Sequence, residues 1–315
     1  MKKYLLASTL FIFVVLPVFA FTVEPLITEP SHQWKASVDG RYVAYSDFST
    51  GFHENYLYDF YTGSSKKISD MGNVGKPSIN KNYVVWDHNG DIYLYDIRKE
   101  VIVNLTNDSI SQYSPVIYGN RIAWIDNSVP ENKGDVVVYN IKTEEKTQIT
   151  NDLGGQSSVD IYNNKIVWAD SRAGNHNIDV YMYDLAKKIE VQITSALENQ
   201  TAPKIYKNKI VWHDFRNRGN GTDADIYYYD LLTETEHEVS TSIDYEGTPV
   251  VYGDNIAYVN FSSTQSDIFL YNIKSALTTR ITYHFTTQSQ PTIDKDKIIW
   301  SDYRNGEPDL YMTKI

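Results

Sequence analysis

Hydrophobic and polar positions along this chain fall into short runs of strand character. In "DIYLYD", Asp91, Tyr93 and Tyr95 point one way while Ile92 and Leu94 point the other. Both faces of such a run are apolar or aromatic, so the predicted strand is packed on both sides. Beyond the first twenty residues no segment keeps a helical period.

The runs repeat. One unit reads "PVIYGNRIAWID", a variable insert, then "DVVVYNIKTEEKTQIT", and its first half recurs as "ASVDGRYVAYSD", "PSINKNYVVWDH", "VDIYNNKIVWAD", "PKIYKNKIVWHD", "PVVYGDNIAYVN" and "PTIDKDKIIWSD". The marking aromatics are Tyr45, Trp86, Trp124, Trp168, Trp212, Tyr258 and Trp300, at separations of 41, 38, 44, 44, 46 and 42, which makes seven units. Gly119-Asn120, Asn163-Asn164, Lys207-Asn208 and Gly253-Asp254 sit between two apolar runs, where a tight hairpin needs residues that tolerate positive φ. A later short strand ends in "NLT", "QIT" or "RIT", so each unit predicts four antiparallel strands.

Four-stranded units of about 40 residues, buried on both faces and repeated seven times, predict an all-β fold, a seven-bladed β-propeller. The last unit stops at "DLYMTKI" without a fourth strand, and "TVEPLITEPSHQ" (Thr22 to Gln33) has the form of a fourth strand with its exit loop. The N-terminal strand is therefore expected to complete the last blade and remove both open edges. Predicted blade cores are 34–71, 76–106, 114–150, 157–194, 201–240, 248–282 and 289–315, the last together with 22–29.

The unit carries "Q-x-x-P" ahead of its first strand, "W-x-D-x-R-x-G" after its second, "D-I-Y-x-Y-D" in its third and "Q-I-T" in its fourth. This pattern resembles the repeats of the TolB-like β-propellers, which are envelope or secreted proteins, over Thr22 to Ile315. The separate N-terminal α/β domain of TolB has no counterpart here, so TolB's role in the Tol system is not implied. Prolyl oligopeptidases carry a similar propeller, but neither their hydrolase domain nor a G-x-S-x-G elbow occurs in this sequence.

Gln33, Gln112, Gln156, Gln200 and Gln288 stand just before the innermost strand in five units. They are expected to ring the channel mouth, either offering amides to a ligand or, as the reading preferred here, satisfying backbone groups between blades. Arg172, Arg216 and Arg304 share the same predicted face with Asp170, Asp214 and Asp302, each Arg two residues after its Asp. A pair recurring at one register is expected to be an ion-pair clamp, since a catalytic site needs its residues once. No catalytic residue is assigned.

The histidines show no metal-ligand spacing, and no metal or cofactor is expected. His88 and His213 lie at corresponding strand ends, and with channel glutamines they would be similar to the oligogalacturonate lyases, although no residue carries over. The Asp-rich stretch Asn220 to Asp225 lacks the ligand run of a calcium loop. Most of the 26 Tyr and 6 Trp fall at repeat positions, where packing explains them before sugar stacking does.

The chain opens with Lys2-Lys3, an apolar run and Ala20 before Phe21, an expected export signal (1–20) cut after Ala20; Pro17 and the short run disfavour a retained anchor. With no cysteine there is no disulfide, lipid-modified cysteine or thiol nucleophile. Without Lys2 and Lys3, 27 basic residues face 40 acidic ones, a net charge of 27 − 40 = −13, which argues against nucleic acid and anionic membranes as partners. The expectation is a secreted, periplasmic or cell-surface monomer, a non-catalytic module that binds an envelope or extracellular protein or a glycan. The alternative is a carbohydrate-active propeller, a lectin or a polysaccharide lyase.

Overall fold

The computed structural model describes residues 21–127, 134–174, 177–217, 224–240, 244–262 and 264–315. The expected export signal, His176 and most of the Asn220 to Asp225 stretch lie outside the described residues. Those described form seven four-stranded antiparallel sheets, with no helix among them. The sheets stand as the blades of a propeller.

In each of the first six blades the strands follow sequence order from the axis outward; blade one runs Gln33–Asp39, Tyr42–Asp47, Glu54–Asp59 and Ser64–Lys67. Blade seven is built from Gln288–Asp294, Lys297–Asn305 and Glu307–Lys314, and its outermost strand is Glu24–Ile27. Glu24 lies opposite Met312 and Pro25 opposite Tyr311. Thr313 Oγ1 donates to the Thr22 carbonyl at 2.8 Å. Pro25 is tolerated because this strand is an edge, whose outer side needs no donor.

The core lies between blades. Trp86, Trp124, Trp168, Trp212, Trp300, Tyr45 and Tyr258 are fully buried. Each apolar cluster joins two neighbours, as Ile125 and Val136 of blade three meet Val159, Ile161 and Trp168 of blade four. The closing interface follows the same rule, with Ile27, Leu310 and Met312 against Val38, Val43 and Tyr45. A buried aromatic of this size contributes roughly 2–3 kcal/mol, so the seven repeat positions are the main reason for the period.

Two local features orient the innermost strands. The inner hairpins turn at Gly119, Asn163, Lys207 and Gly253, all at positive φ. Near the other end, Lys35, Ser114, Ser158, Ala202, Thr248 and Gln290 adopt φ of 48–54°, each inside a register shift of the first strand pair. These are bulges, and they re-aim the residues that follow toward the axis.

Candidate functional site

The repeated polar residues form compact buried groups. Gln33 pairs in register with Asp47, Gln112 with Asp126, Gln156 with Asp170, Gln200 with Asp214 and Gln288 with Asp302. In blade four Trp168 Nε1 donates to Asp170 Oδ2 at 2.8 Å, and Arg172 grips the same carboxylate through Nε (3.0 Å) and Nη2 (2.7 Å). Burial works against the Asp170 charge, yet the hydrogen bonds from Arg172 and Trp168 outweigh it and hold the carboxyl below its ordinary range. Arg216 with Asp214 and Arg304 with Asp302 repeat the two-pronged contact. Blade three substitutes Lys146, whose Nζ meets Asp126 at 2.8 Å.

The three arginines run outward from the axis. Arg172, Arg216 and Arg304 lie over the third-strand rings of Tyr181, Tyr227 and Tyr311 at 4.2, 4.3 and 4.1 Å. Arg172 also reaches Glu190 on the outermost strand, and Arg216 likewise reaches Glu236. Arg172 also meets Asp152, on the loop between blades three and four, at 2.9 Å, while Arg216 and Arg304 stay within their own blades, so the three do not converge on the channel.

The five glutamine side chains are closed to solvent and their amide nitrogens are engaged, whereas Oε1 is partnered in Gln156, by Thr150 Oγ1, and in none of the other four. Gln156 Nε2 donates to the Gly154 carbonyl at 2.6 Å, Gln288 Nε2 to Thr286 at 2.7 Å and Gln33 Nε2 to Ser31 at 2.7 Å. The amides therefore fasten the interblade loops and present no donor at the mouth.

Blade six departs from this pattern in a way that the sequence reading missed. Glu246 occupies the glutamine register and pairs with Asn260, so acid and amide have exchanged strands. The acid now lacks both the indole donor and the arginine. Burial pushes its pKa up to about 8, and Ser240 Oγ and Asn260 Nδ2 donate to it instead. "E-x-x-P" at Glu246 to Pro249, in place of "Q-x-x-P", was the available signal.

Along the axis lies a cavity of about 610 Å³ lined by the innermost strands of all seven blades. Its upper level holds Lys35, Lys76, Ser114 and Ser158, and the next holds Ser37, Ser78, Asp160 and Lys204. Asp87 borders it and accepts from Ser114 N at 3.1 Å. Lys76 is open to the cavity yet ringed by protein; burial, then the like charges of Lys204 and Lys35, bring its pKa down to about 8. The strand ends beyond carry Tyr118, Tyr162, Tyr206 and Tyr252, with ring centroids 4.5, 4.9 and 4.2 Å apart in a continuous arc. None of these four lines the cavity.

A row of aromatics leads outward from the same mouth on blade one. Lys35 Nζ sits 4.5 Å above Trp34, Trp34 lies 5.1 Å from His53, His53 4.9 Å from Phe48, and Phe48 5.6 Å from His32. Among the described residues a second such group, His213, Phe215, Tyr245 and Phe261, lies at blades five and six.

His88 and His213 are not brought together. His213 is buried, its pKa brought down to about 4 by burial, and Nε2 accepts from Thr248 N at the blade-six bulge. His88 lies against Tyr93 and Asn89 in blade two. Among the described residues no three His, Asp or Glu side chains are placed together to hold a metal ion. Nor is any helix long and apolar enough to cross a membrane among those residues.

No protein-family model matches the chain, and no curated protein matches it. Solved structures do. An oligogalacturonate lyase in complex with manganese superposes with a TM-score of 0.70 at 14% identity, covering 94% of this chain and 93% of that one. An oligogalacturonate lyase from Vibrio parahaemolyticus gives 0.71 at 13% identity, with 95% of each chain covered. A putative TolB from Agrobacterium tumefaciens gives 0.55 at 11% identity, covering 82% of this chain and 97% of that one. At such identities the likeness is one of fold. The chain is a seven-bladed β-propeller with TolB-like neighbours.

Proposed function

We propose that the protein is an exported, non-catalytic binding module, monomeric, that engages an envelope or extracellular protein, or a glycan, through the face around the axial cavity. One observation carries this reading. The repeated Asp, Arg and Gln groups are consumed by the blades, whereas the charged and aromatic residues that break the repeat gather at one mouth, Lys35, Lys76 and Lys204 inside it and Trp34 beside it. A ring of equivalent blades gains specificity only where the equivalence fails.

Pull-down from the native envelope tests it. Wild-type protein is expected to retain a partner that Trp34→Ala loses; capture unaffected by substitutions around the mouth, but lost on changing the outer strands, would overturn the assignment of this face.

A second reading is a carbohydrate-active propeller. It is favoured by the row Trp34, His53, Phe48, His32, since aromatic faces suit sugar rings. The fold shared with the oligogalacturonate lyases is compatible with it. A glycan array and metal analysis separate the two: saturable binding to one oligosaccharide class with turnover, or a stoichiometric metal, replaces the module reading with the enzymatic one.

A further inference from the structure

The axial cavity holds three ammonium groups from three blades, and its acids do not balance them. Asp160 is engaged by Lys204 at 3.7 Å and accepts from Ile205 N at 2.9 Å. Asp87 is held by Ser114 N, and burial raises its pKa. Lys35 lies over the Trp34 face and within electrostatic reach of Asp87 without forming a direct ion pair, and Lys76 likewise has no direct ion-pair partner among the described residues. Burial first, then the like charges of Lys204 and Lys35, only partly offset by Asp160, leave the Lys76 proton held less firmly than that of an ordinary lysine. An anion placed among the three would relieve that repulsion, and one charge cannot satisfy all of them.

We propose that the cavity binds a small organic acid carrying two or three carboxylates, with Lys35 and Lys76 as its primary contacts and Lys204 as the third. The volume of about 610 Å³ suits a ligand of that size. Carboxylate is favoured over phosphate by the walls. Phosphate sites use lysine too, but usually together with clustered backbone N–H groups or arginine. Here the N–H groups of Lys35, Ser114 and Thr248 are taken by Gln290, Asp87 and His213, and the nearest arginines face outward. What remains is mobile lysine point charges beside serine hydroxyls, which fit a hydroxylated polycarboxylate.

The site deepens the binding-module reading and rests on it, yet the two fail separately. Calorimetric titration with citrate and with tricarballylate at pH 7 and low salt is expected to show saturable one-to-one binding. Lys76→Met and Lys35→Met, which keep the stem and remove the charge, are each expected to weaken it at least tenfold, while Lys207→Met on the hairpin side leaves it unchanged. Binding should also loosen between pH 7 and pH 9 as Lys76 loses its proton. Absence of citrate binding, or unchanged affinity in Lys76→Met with an unaltered melting curve, overturns the site; inorganic phosphate binding as tightly as citrate overturns the carboxylate assignment. Envelope pull-down with wild-type protein and Trp34→Ala scores the module reading independently, because both keep the three cavity lysines.

Discussion

Replacing Glu246 by Gln is expected to stabilise the protein, and to do so more as the pH rises. Glu246 is 2% exposed and sits where five other blades carry a glutamine. Burial, with Asp225 and Asp244 adding to it and the hydrogen bond from Asn260 opposing, lifts its pKa from 4.5 to about 8. The folded protein thus keeps a proton that the unfolded chain releases. Stability therefore falls as the pH climbs from 4.5 to about 8 and is flat on either side. The full span corresponds to at most about 5 kcal/mol, of which about 3 kcal/mol is already lost at pH 7. Glutamine is isosteric with the protonated acid, has nothing to ionise, and can share its amide with Ser240 and Asn260. Urea unfolding midpoints for both proteins at pH 5, 7 and 9 measure the effect. The two should nearly coincide at pH 5 and separate by several kcal/mol at pH 9. A gap of constant width across that range would refute the reasoning, since it would mean that Glu246 titrates alike in both states.

Three further outcomes follow from the same geometry. His213, with its pKa brought down to about 4, is neutral when folded, so stability is full above 6.5 and falls by up to about 3 kcal/mol as the pH drops to 4; His213→Gln should flatten that limb in a Glu246→Gln background, and an unchanged limb would place its origin elsewhere. Arg216→Met leaves the fully buried Asp214 without its cation and should cost about 3 kcal/mol in chemical unfolding, with more than half recovered by adding Asp214→Asn. A stable Arg216→Met protein that has lost its ligand would instead make the arginine a contact residue. Deletion of 22–27 bares the edge of blade seven and removes Ile27 from its cluster, so a marked fall in melting temperature or aggregation is expected, and an unaltered melting curve would refute a structural role for that strand.

The fold was legible because its determinants repeat. Trp86, Trp124, Trp168, Trp212 and Trp300 recur at one register, and period-two strands around them leave little freedom of arrangement. Even the shared blade could be read, since "TVEPLITEPSHQ" has the form of a fourth strand. The candidate site was far less legible. Gln33 and its equivalents were found at the right strand ends, but proximity to the mouth does not say which way an amide turns, and the carbonyls of Ser31, Gly154 and Thr286 decide that. Lys35 escaped notice because it sits in the bulge that breaks the period-two count, and Lys76 because it precedes the short strand Ser78–Asn80. Glu246 stands in "E-x-x-P" where other units carry "Q-x-x-P", and its register opposite Asn260 identifies it as an exchanged partner.

The strand Glu24–Ile27 meets its partner across nearly the whole chain, as the contact between Thr22 and Thr313, 291 residues apart, makes plain. A chain made from its N-terminus exposes this strand early and supplies its partner, Glu307–Lys314, much later. Until that partner emerges the molecule is an open arc whose bare strands invite counterparts in neighbouring copies. Closure is thus a check written into the topology: a product cut short before Glu307–Lys314 cannot seal the ring, and only a chain that carries both strands can pair them in one sheet.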